Sequence, residues 1–465
     1  MSNISKTINY LKKNGLRQTY YAVIERTQPE FHRKEKSEDY TYLPPVPDKL
    51  QRQREESKDG KIRFSIIVPV YNPDFKFFTA MVQSVISQSY PHFELILADA
   101  GENKDIPAYI TALGDERINY HPISENKGIS ANTNAALDYA TGDYVGLLDH
   151  DDLLTPDALY EMAAAISNAE NHNTSLALLY SDEDKLSYDG YTFYDHHRKP
   201  KLNLDLILSN NYICHFLVIR SDLIKALKLR AEYDGAQDYD LVLRVINALL
   251  GYAKDNEEAK TNLKKAKEAV FHIDKVLYHW RNHPGSTAAN PQSKTYAYEA
   301  GKRVVEDFLK HRGIEGDVRH LRHLGFYRVD YKPDILSARR EIGLVGGKLL
   351  SRKNKITGGI YTEDGTALYL GLHKEYSGYM HRAALMQEAD AIDIRAMKIS
   401  PLVADIFEEV VRLPYLENEH NGRFNWVGAL NEGIDFKKIS LEFCKKVRAA
   451  GFAIVWDPQM IEKIK

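Results

Sequence analysis

The sequence predicts an α/β protein with a mostly parallel sheet, followed by a second, smaller module. From residue 64 onward, short apolar runs typical of buried strands alternate with stretches of helical periodicity. The chain has 465 residues, enough for two domains, and its 43% hydrophobic and 27% charged content is ordinary for a globular protein. Strand-like, glycine-containing patterns return at residues 342–347 and 453–456, which predicts the second module.

The overall composition argues against several classes of protein. The formal net charge is −3, whereas a general nucleic-acid binder carries a basic excess. Cys214 and Cys444 are the two cysteines, so no disulfide framework is expected and a reducing compartment fits. No signal peptide is recognisable, and no apolar run approaches the roughly 20 residues of a membrane span. These observations predict a cytoplasmic protein.

Residues 1–60 are expected to form a separate N-terminal segment. Its basic residues Lys6, Lys12, Lys13 and Arg17 precede the first acidic residue, Glu25, and alternate with apolar residues at helical spacing. A basic amphipathic helix suits peripheral contact with an anionic membrane, and it equally suits a solvated helix packed on the next domain. The charged, proline-containing residues 42–60 predict a linker or an extended segment.

The first domain, residues 61–315, is expected to alternate strands and helices. Strands are predicted at residues 64–70, 93–99, 117–120 and 144–148, and helices at residues 77–87 and 129–139. Such alternation implies crossover connections and parallel strands, and ligands then bind beyond the carboxyl ends of the strands. Polar side chains follow three of these strands, at Asn72, Asp99 and Asp149. The sequence therefore predicts a binding site at this edge of the sheet.

The central stretch of this domain is residues 142–152, where an apolar strand ends in Asp149, Asp151 and Asp152. Alternate carboxylates at the end of a parallel strand suit a hard divalent cation that leaves coordination positions for substrate phosphates. An isolated motif of this kind also suits a polar loop or a helix N-cap. The motifs around it favour the cation site.

Several motifs in order make the chain resemble the inverting family 2 glycosyltransferases that build bacterial surface polysaccharides. They are residues 67–72 (IVPVYN), 84–90 (SVISQSY), 94–96 (ELI), 126–134 (NKGISANTN), 149–152 (DHDD), 181–185 (SDEDK) and 235–241 (GAQDYDL). The resemblance covers residues 64–290. It implies a Rossmann-like GT-A fold and a hexosyltransferase that takes a sugar from a nucleotide diphosphate.

The resemblance implies donor-nucleotide contacts at Tyr71 and Asp99, with Pro69 and Asn72 beside them. An Asp can accept a hydrogen bond from N3–H of uracil or thymine, and an aromatic ring can stack on the base. The family's usual second carboxylate is absent here, because Ala100 follows Asp99. The alternative role for Asp99 is that of a turn residue.

Asp149 and Asp151 are expected to hold Mn²⁺ or Mg²⁺ across the two phosphates of the leaving group. The resemblance implies that Asp151 is the direct ligand and that Asp149 lies nearer the ribose or the metal's waters. Asp152 alternatively caps the next helix. Lys127 lies where the family often has a basic residue near the donor, although a solvated surface lysine is the alternative.

Residues 279–287 follow a predicted strand at residues 270–278 and suit a loop that closes over the diphosphate. His279 or His283 can supply a third metal ligand, and Arg281 a phosphate fork. A lone histidine is more often structural than metal-binding, so the choice between the two remains open.

Asp238 aligns with the family's catalytic carboxylate at the start of a helix. An inverting transfer is a single displacement, so one carboxylate within reach of the acceptor hydroxyl suffices as its base. The helix dipole helps to keep such a carboxylate ionised. The alternative is a helix N-terminal cap.

Two further motifs are assigned by their place in the chain. The acidic residues 181–185 are expected near the acceptor or the donor sugar, with a charged solvated turn as the alternative. Residues 194–200 contain two histidines but lack further zinc-ligand spacing, so we expect a mobile acceptor-side loop.

The C-terminal module, residues 320–465, resembles the second half of a transferase domain. Residues 218–224 parallel 397–403, and residues 237–245 parallel 439–447. In this register Ser440 replaces Asp238, and no clear Asp-x-Asp motif follows a strand. We expect a degenerate glycosyltransferase-like module with a structural, acceptor-binding or partner-binding role.

The sequence as a whole predicts a metal-dependent, inverting glycosyltransferase that uses a UDP-sugar or dTDP-rhamnose. Its expected acceptor is a growing, lipid-linked surface polysaccharide such as a capsule or cell-wall glycan, at the cytoplasmic face of the membrane. One alternative is a non-catalytic scaffold in a glycan-assembly complex. The other is a sugar-nucleotide nucleotidyltransferase, which would need a glycine-rich basic loop after the first strand, where residues 69–72 (PVYN) stand instead.

Overall fold

The computed structural model describes residues 3–27, 40–282, 295–416 and 433–464 of the chain. His283 therefore lies outside the described residues.

The first domain is built on one large mixed sheet. Its described strands are β1 (Phe64–Val70), β2 (Phe93–Asp99), β3 (Ile118–Pro122), β4 (Tyr144–Leu147), β5 (Leu153–Leu154), β6 (Leu178–Leu186), β7 (Phe193–His197), β8 (Leu217–Arg220) and β9 (Val270–Arg281). They run in the order β3-β2-β1-β4-β8-β6-β9-β5, and β7 pairs with the outer part of β6. Strands β3, β2, β1 and β4 are parallel, β8 is antiparallel to both its neighbours, and β6 is parallel to β9. The α/β prediction is confirmed.

Helices connect these strands and cover both faces of the sheet. In this part of the chain they are α1 (Asn3–Thr27), α2 (Pro47–Glu56), α3 (Phe75–Ile86), α4 (Asp105–Leu113), α5 (Ile129–Leu137), α6 (Ala158–Asn171), α7 (Leu204–Ser209), α8 (Ser221–Leu227), α9 (Gln237–Leu250), α10 (Asn256–Ala269) and α11 (Thr295–His311). Two apolar clusters result, one on each face, because alternate side chains of a strand point to opposite sides. Ile67 of β1 lies in one cluster, and Ile66 and Val68 lie in the other.

The linker predicted for residues 42–60 is wrong in part, because it contains helix α2. Pro47 stands in the first turn, where its fixed φ and missing N–H cost nothing. The helix is attached to α6 by an ion pair between Lys49 and Asp157 (2.8 Å) and by a hydrogen bond from Tyr160 to Glu56 (2.6 Å). Local composition could not reveal these partners, which lie about 100 residues away.

Helix α1 is interrupted at Gly15, whose φ of 76° breaks the helical backbone. Its second half packs on the C-terminal module. The Glu25 carboxylate accepts hydrogen bonds from the backbone N–H groups of Ser377 (2.6 Å) and Gly378 (3.0 Å), and Tyr21 stacks on His373. No helix within the described ranges has the length and apolarity needed to cross a bilayer.

The C-terminal part contains a second sheet and a small hairpin. The hairpin is β10 (Gly316–His320) with β11 (Tyr327–Tyr331), and the remaining strands are β12 (Ile342–Leu350), β13 (Ile356–Gly358), β14 (Ile360–Tyr361), β15 (Gln387–Glu388), β16 (Ala391–Ile392), β17 (Met397–Ile399) and β18 (Ala453–Lys463). Its helices are α12 (Ile335–Ala338), α13 (Ala404–Val411) and α14 (Phe436–Ala449). The expected second α/β module is confirmed.

The strand pairing around β12 follows the same pattern as that around β6, while the internal repeat itself stays a prediction. Strand β12 is antiparallel to β13 and β17 and parallel to β18, as β6 is antiparallel to β7 and β8 and parallel to β9. Helix α14 precedes β18 as α9 precedes β9. Ser440, which the repeat aligns with Asp238, is buried, and its Oγ accepts a hydrogen bond from the backbone N–H of Ile394 (3.0 Å). The described contacts of Ser440 are thus structural.

The two modules share one apolar cluster. Val345, Leu385 and Val455 belong to the cluster that also contains the side chains of α9 and α11. A buried ion pair joins the modules as well, between Arg339 and Asp205 of α7 (2.7 Å). Burial of both partners makes this contact sensitive to the loss of either one.

Lys348 is a second buried charge, inside the C-terminal sheet. Its side chain is 3% exposed, and its Nζ donates a hydrogen bond to the carbonyl of Lys374 (3.2 Å) and lies 5.8 Å from the ring centroid of Trp456. Burial lowers the pKa of Lys348 to about 8, although the carboxylates of Glu375 and Asp457 act in the opposite direction.

Candidate active site

The carboxyl ends of β1, β2 and β4 form one edge of the sheet. Val70 at the end of β1 is paired in register with Asp99 at the end of β2. The loop after β4 reaches the same edge, because a ring nitrogen of His150 lies 3.2 Å from the carbonyl oxygen of Pro69. The ends of β1 and β2 and the loop of residues 149–152 therefore lie at the same edge of the sheet.

Asp99 is buried and held in one orientation. Its Oδ1 accepts the backbone N–H of Gly101 (2.8 Å), and its Oδ2 accepts the hydroxyl of Tyr120 (2.8 Å). Beside it, Asn72 has a φ of 43°, and its Oδ1 accepts the backbone N–H of Glu102 (3.2 Å).

A side chain at position 101 would collide with this arrangement, because its Cβ would lie 2.9 Å from Oδ1 of Asn72. Tyr71, next to Asn72, is exposed and free of the core. This part of the edge is thus a rigid carboxylate and amide with an aromatic ring at the solvent side.

Asp149, Asp152 and His215 form a group whose candidate ligand atoms all lie within 4.8 Å of one another. Among the residues that the structure describes, this is the group of acidic, His or Cys side chains close enough to hold a metal ion. Two carboxylates and an imidazole are suitable donors for a divalent first-row cation. Asp152, rather than Asp151, supplies the second carboxylate of this group.

Asp152 is anchored from strand β9. Its Oδ2 accepts the hydroxyl of Tyr278 (2.5 Å), and its Oδ1 accepts the backbone N–H of Arg281 (2.7 Å). The Arg281 guanidinium donates from Nε to the carbonyl of Asp151 (2.7 Å) and lies 4.4 Å from the ring centroid of Phe77. Arg281 therefore holds the carboxylate loop in place, and its side chain is buried rather than extended toward solvent.

Negative charge accumulates in this group. Burial raises the pKa of Asp149, and the charges of Asp151 and Asp238 raise it further, while His215 acts against them. Burial also raises the pKa of Asp152 well above its ordinary value, with Asp151 and Asp149 adding to the effect. Carboxylates that raise one another's pKa in this way are stabilised in the ionised form by a bound cation.

Asp238 stands in the first turn of α9, and one of its oxygens accepts a hydrogen bond from the Asn211 side-chain amide (2.7 Å). The Oδ1 of the same Asn211 accepts the backbone N–H of Cys214 (3.3 Å), so Asp238 is linked to the segment that carries His215. Asp240, two residues later, instead pairs with Arg230 and Arg244 and is buried. The two acidic residues of this turn thus have separate surroundings.

Two predicted site residues lie away from the group. Lys127 is exposed, and its described ion pair is with Glu125 (3.5 Å). His279 is buried, its Nδ1 is 2.5 Å from Asp184, and its ring packs against Tyr42 and Phe193. The structure places His279 in a side-chain network behind the site and does not join it to Asp149.

The acidic residues of β6 are buried and paired, so the charged solvated turn is excluded. Asp182 accepts hydrogen bonds from His196 and His272 (2.8 Å each), and Asp184 also accepts the hydroxyl of Tyr40 (2.6 Å). Glu183 is bonded to Lys199 (3.0 Å), His215 (3.1 Å) and His197 (3.3 Å). The mobile loop expected at residues 194–200 is wrong in part, because residues 194–197 belong to strand β7, which pairs with β6.

Comparison with known proteins identifies a family domain within the chain. Residues 65–227, which include the sheet edge and the carboxylate loop, match the family described as "Glycosyl transferase family 2". The chain carries a glycosyl transferase family 2 domain. The resemblance seen in the sequence motifs is thereby confirmed.

The curated relatives that this chain matches are much longer proteins. The chain is 38% identical over 249 residues to the uncharacterized protein y4gI of Sinorhizobium fredii, which covers 53% of this chain and 25% of that protein. It is 31% identical over 261 residues to the O-antigen biosynthesis protein RfbC of Myxococcus xanthus, covering 55% of this chain and 18% of that protein. The chain thus spans a quarter or less of the length of these two relatives.

Among solved structures, the glycosyltransferase domain is similar to S. aureus TarS 1-349 in complex with UDP-GlcNAc. The TM-score is 0.39, the sequence identity is 20%, and the match covers 55% of this chain and 68% of the other.

Sequence reasoning missed His215, Asn211 and the partners of the acidic strand. His215 and Asn211 lie in the segment between α7 and β8, which has no motif spacing to the carboxylate loop. A signal did exist for β6, because Asp182 and Glu183 stand 14 residues before His196 and His197, as in a hairpin that pairs carboxylates with imidazoles. Asp152 lies within the motif, but the sequence pattern predicts a helix cap for it.

Proposed function

We propose that the chain is an inverting, metal-dependent glycosyltransferase that moves a sugar from UDP-sugar or dTDP-rhamnose onto a growing polysaccharide. The observation that carries this proposal is that Asn211 joins Asp238 to the cation group: its amide donates to Asp238 (2.7 Å), and its Oδ1 accepts the backbone N–H of Cys214 (3.3 Å), the residue before His215. A single displacement needs a site for the leaving diphosphate and a base for the acceptor hydroxyl on either side of one sugar carbon. The carboxylate loop and the start of α9 supply these two functions.

Asp99 is the proposed reader of the nucleotide base. Each oxygen of a carboxylate can accept two hydrogen bonds, so Asp99 retains acceptor capacity beside Gly101 and Tyr120. Uracil and thymine share the N3–H donor, which is why both donor classes remain in the proposal. The exposed ring of Tyr71 is available to stack on the base. Pro69 and Asn72 complete this side of the proposed donor site.

The carboxylates of residues 149–152 are the proposed cation ligands. Asp149 and Asp152 are supported by their proximity to each other and to His215, and Asp151 by its place in the motif. When bound, Mn²⁺ or Mg²⁺ would neutralise the charge that develops on the leaving diphosphate. Tyr278 and the Arg281 backbone hold Asp152 in position for this task. Arg281 is proposed to act through this loop, and His279 and Lys127 are not assigned a direct role.

Asp238 is the proposed base. It would take the proton of the acceptor hydroxyl as that oxygen bonds to the anomeric carbon and the bond from carbon to diphosphate breaks, with inversion at carbon. The amide of Asn211 fixes one carboxylate oxygen and leaves the other for the acceptor. Asp238 lies in the first turn of α9, at the end of the helix where acidic side chains are commonly found.

The proposed acceptor is a lipid-linked surface polysaccharide at the cytoplasmic side of the membrane. The name of the Myxococcus xanthus relative, an O-antigen biosynthesis protein, supports a polysaccharide acceptor. Helix α1 exposes Leu16, Tyr20 and Val23, at positions i, i+4 and i+7 beside Arg17, which supports peripheral contact with anionic lipid. Flotation with anionic but not neutral vesicles is expected, and the double variant Leu16→Glu, Tyr20→Glu should abolish it.

A panel of nucleotide sugars, with and without Mn²⁺ or Mg²⁺, tests the proposed reaction. The correct donor should raise the melting temperature, because a ligand of the folded state stabilises it, and should be hydrolysed slowly when no acceptor is present. Asp238→Asn should keep the thermal shift and lose the hydrolysis. A non-catalytic scaffold would instead show no hydrolysis even in the wild type. Release of pyrophosphate from a nucleoside triphosphate would instead establish the nucleotidyltransferase.

A further inference from the structure

His215 is held at the cation site by side chains of strands β9 and β6. The residue lies just before β8, and its ring is stacked on Tyr278 of β9, with the ring centroids 4.5 Å apart and the planes 7° from parallel. Tyr278 is the residue that also donates to Asp152. The imidazole and the carboxylate are therefore positioned by one side chain.

Glu183 holds His215 from behind. The Nδ1 atom of His215 is 3.1 Å from one oxygen of Glu183, and the same oxygen accepts from the Nζ of Lys199 (3.0 Å). Lys199 also donates to the backbone carbonyl of His215. Glu183 and Lys199 are both buried, so the ring and the backbone of His215 are clamped by one internal ion pair.

This clamp determines the tautomer of the ring. A carboxylate accepts hydrogen bonds, so the proton of a neutral His215 lies on Nδ1 and the lone pair lies on Nε2. In most metal-bound histidines, one ring nitrogen binds the metal and the N–H of the other donates to a carboxylate or a carbonyl. A carboxylate in this position fixes the ring and raises its basicity. The Sγ atom of Cys214 lies 3.5 Å from Nε2 and is a weak partner.

We propose that His215 is a nitrogen ligand of the cation at Asp149 and Asp152, and that Glu183 is the positioning residue that fixes its tautomer. This inference rests on the proposed function. It also deepens it, since an imidazole in the ligand set favours Mn²⁺ over Mg²⁺, which prefers oxygen ligands alone. A site made of carboxylates alone would discriminate less between the two ions.

Electron spin echo spectroscopy of Mn²⁺ bound together with UDP tests the nitrogen ligand directly in the wild-type chain. We expect nuclear modulation from a ¹⁴N nucleus, its loss in His215→Gln, and its persistence in His196→Gln. His196 is the matched control, because it is bonded to Asp182 on the same strand and lies outside the cation group. Cys214→Ala should also retain the modulation.

Calorimetric titration tests the role of Glu183. Glu183→Gln should weaken Mn²⁺ binding about 10- to 100-fold, as loss of an outer partner of a metal-bound histidine does. His215→Gln should lower the ratio of Mn²⁺ to Mg²⁺ affinity, and circular dichroism confirms that each variant is folded. Unchanged Mn²⁺ affinity in a folded Glu183→Gln variant would overturn the positioning role.

The outcomes separate this inference from the proposed function. Bound Mn²⁺ without nitrogen modulation in the wild type would overturn the His215 assignment and leave metal-dependent transfer intact. Failure of Mn²⁺ to bind with either UDP or dTDP would overturn both. Modulation that survives in folded His215→Gln would assign the nitrogen to another residue.

Discussion

Replacement of Lys348 by methionine should reshape the pH dependence of stability. Burial lowers the pKa of the folded-state amine to about 8, from 10.5 in an exposed lysine. Between these two values the unfolded chain binds more protons than the folded one, so stability increases with pH. The difference of about 2.5 units corresponds to about 3 kcal/mol, fully relieved above pH 10.5 and fully present as a cost below pH 8.

Urea unfolding of the wild type and of Lys348→Met at pH 7, 8, 9 and 10 measures this effect. The wild type should gain roughly 2.5 kcal/mol on the variant between pH 7 and pH 10, because most of the titration is then complete. Lys353→Met is the control, because it removes an exposed lysine from the turn that follows β12. This variant should leave the pH profile of stability unchanged. A free-energy difference that stays constant across this range would refute the buried-amine reasoning.

Three further changes test the site and the fold. Asp238→Asn should lower kcat by about 10²- to 10⁴-fold with little effect on UDP affinity, measured by steady-state kinetics and calorimetry. Asp99→Ala removes the charged acceptor proposed to bind N3–H of the uracil ring and should weaken UDP binding about 10- to 100-fold. Arg339→Met leaves Asp205 buried and unpaired by its main partner, at a cost of about 3–5 kcal/mol in urea unfolding, and Asp205→Asn in the same chain should restore part of it.

The strands of the first domain could be predicted because their apolar runs match their burial. Residues 64–70 and 93–99 coincide with β1 and β2, and both strands are almost wholly buried. The polar residues at their ends could be placed as well, since parallel strands bring their carboxyl ends to one edge. An internal repeat is also predicted from the sequence, and the strand pairing around β12 is similar to that around β6.

Strand β6 shows where local pattern fails. The apolar run of residues 176–180 stops at Tyr180, yet strand β6 continues to Leu186 through three buried carboxylates. Hydrogen bonds from His196 of β7 and His272 of β9 offset the cost of burying the Asp182 carboxylate. Periodicity describes one segment at a time, so partners supplied by other strands leave no trace in it.

The cation group illustrates the same limit. Asp149 and Asp152 lie in a recognisable motif, whereas His215 reaches them from a segment more than 60 residues later in the chain. His279, selected because it follows a strand near a glycine-containing turn, is bonded to Asp184 instead. Residue type and order suggested a histidine at the site, and the packing of the sheet decides which one is there.

The apolar cluster common to both modules has a practical consequence for any attempt to divide the protein. A chain shortened to end near residue 320 would lack Tyr327, whose ring stacks on Tyr239 in the first turn of α9, the helix that carries Asp238. It would also leave the Asp205 carboxylate without Arg339. A cut near residue 320 would therefore change the packing of the helix turn that carries Asp238 and leave a buried carboxylate unpaired.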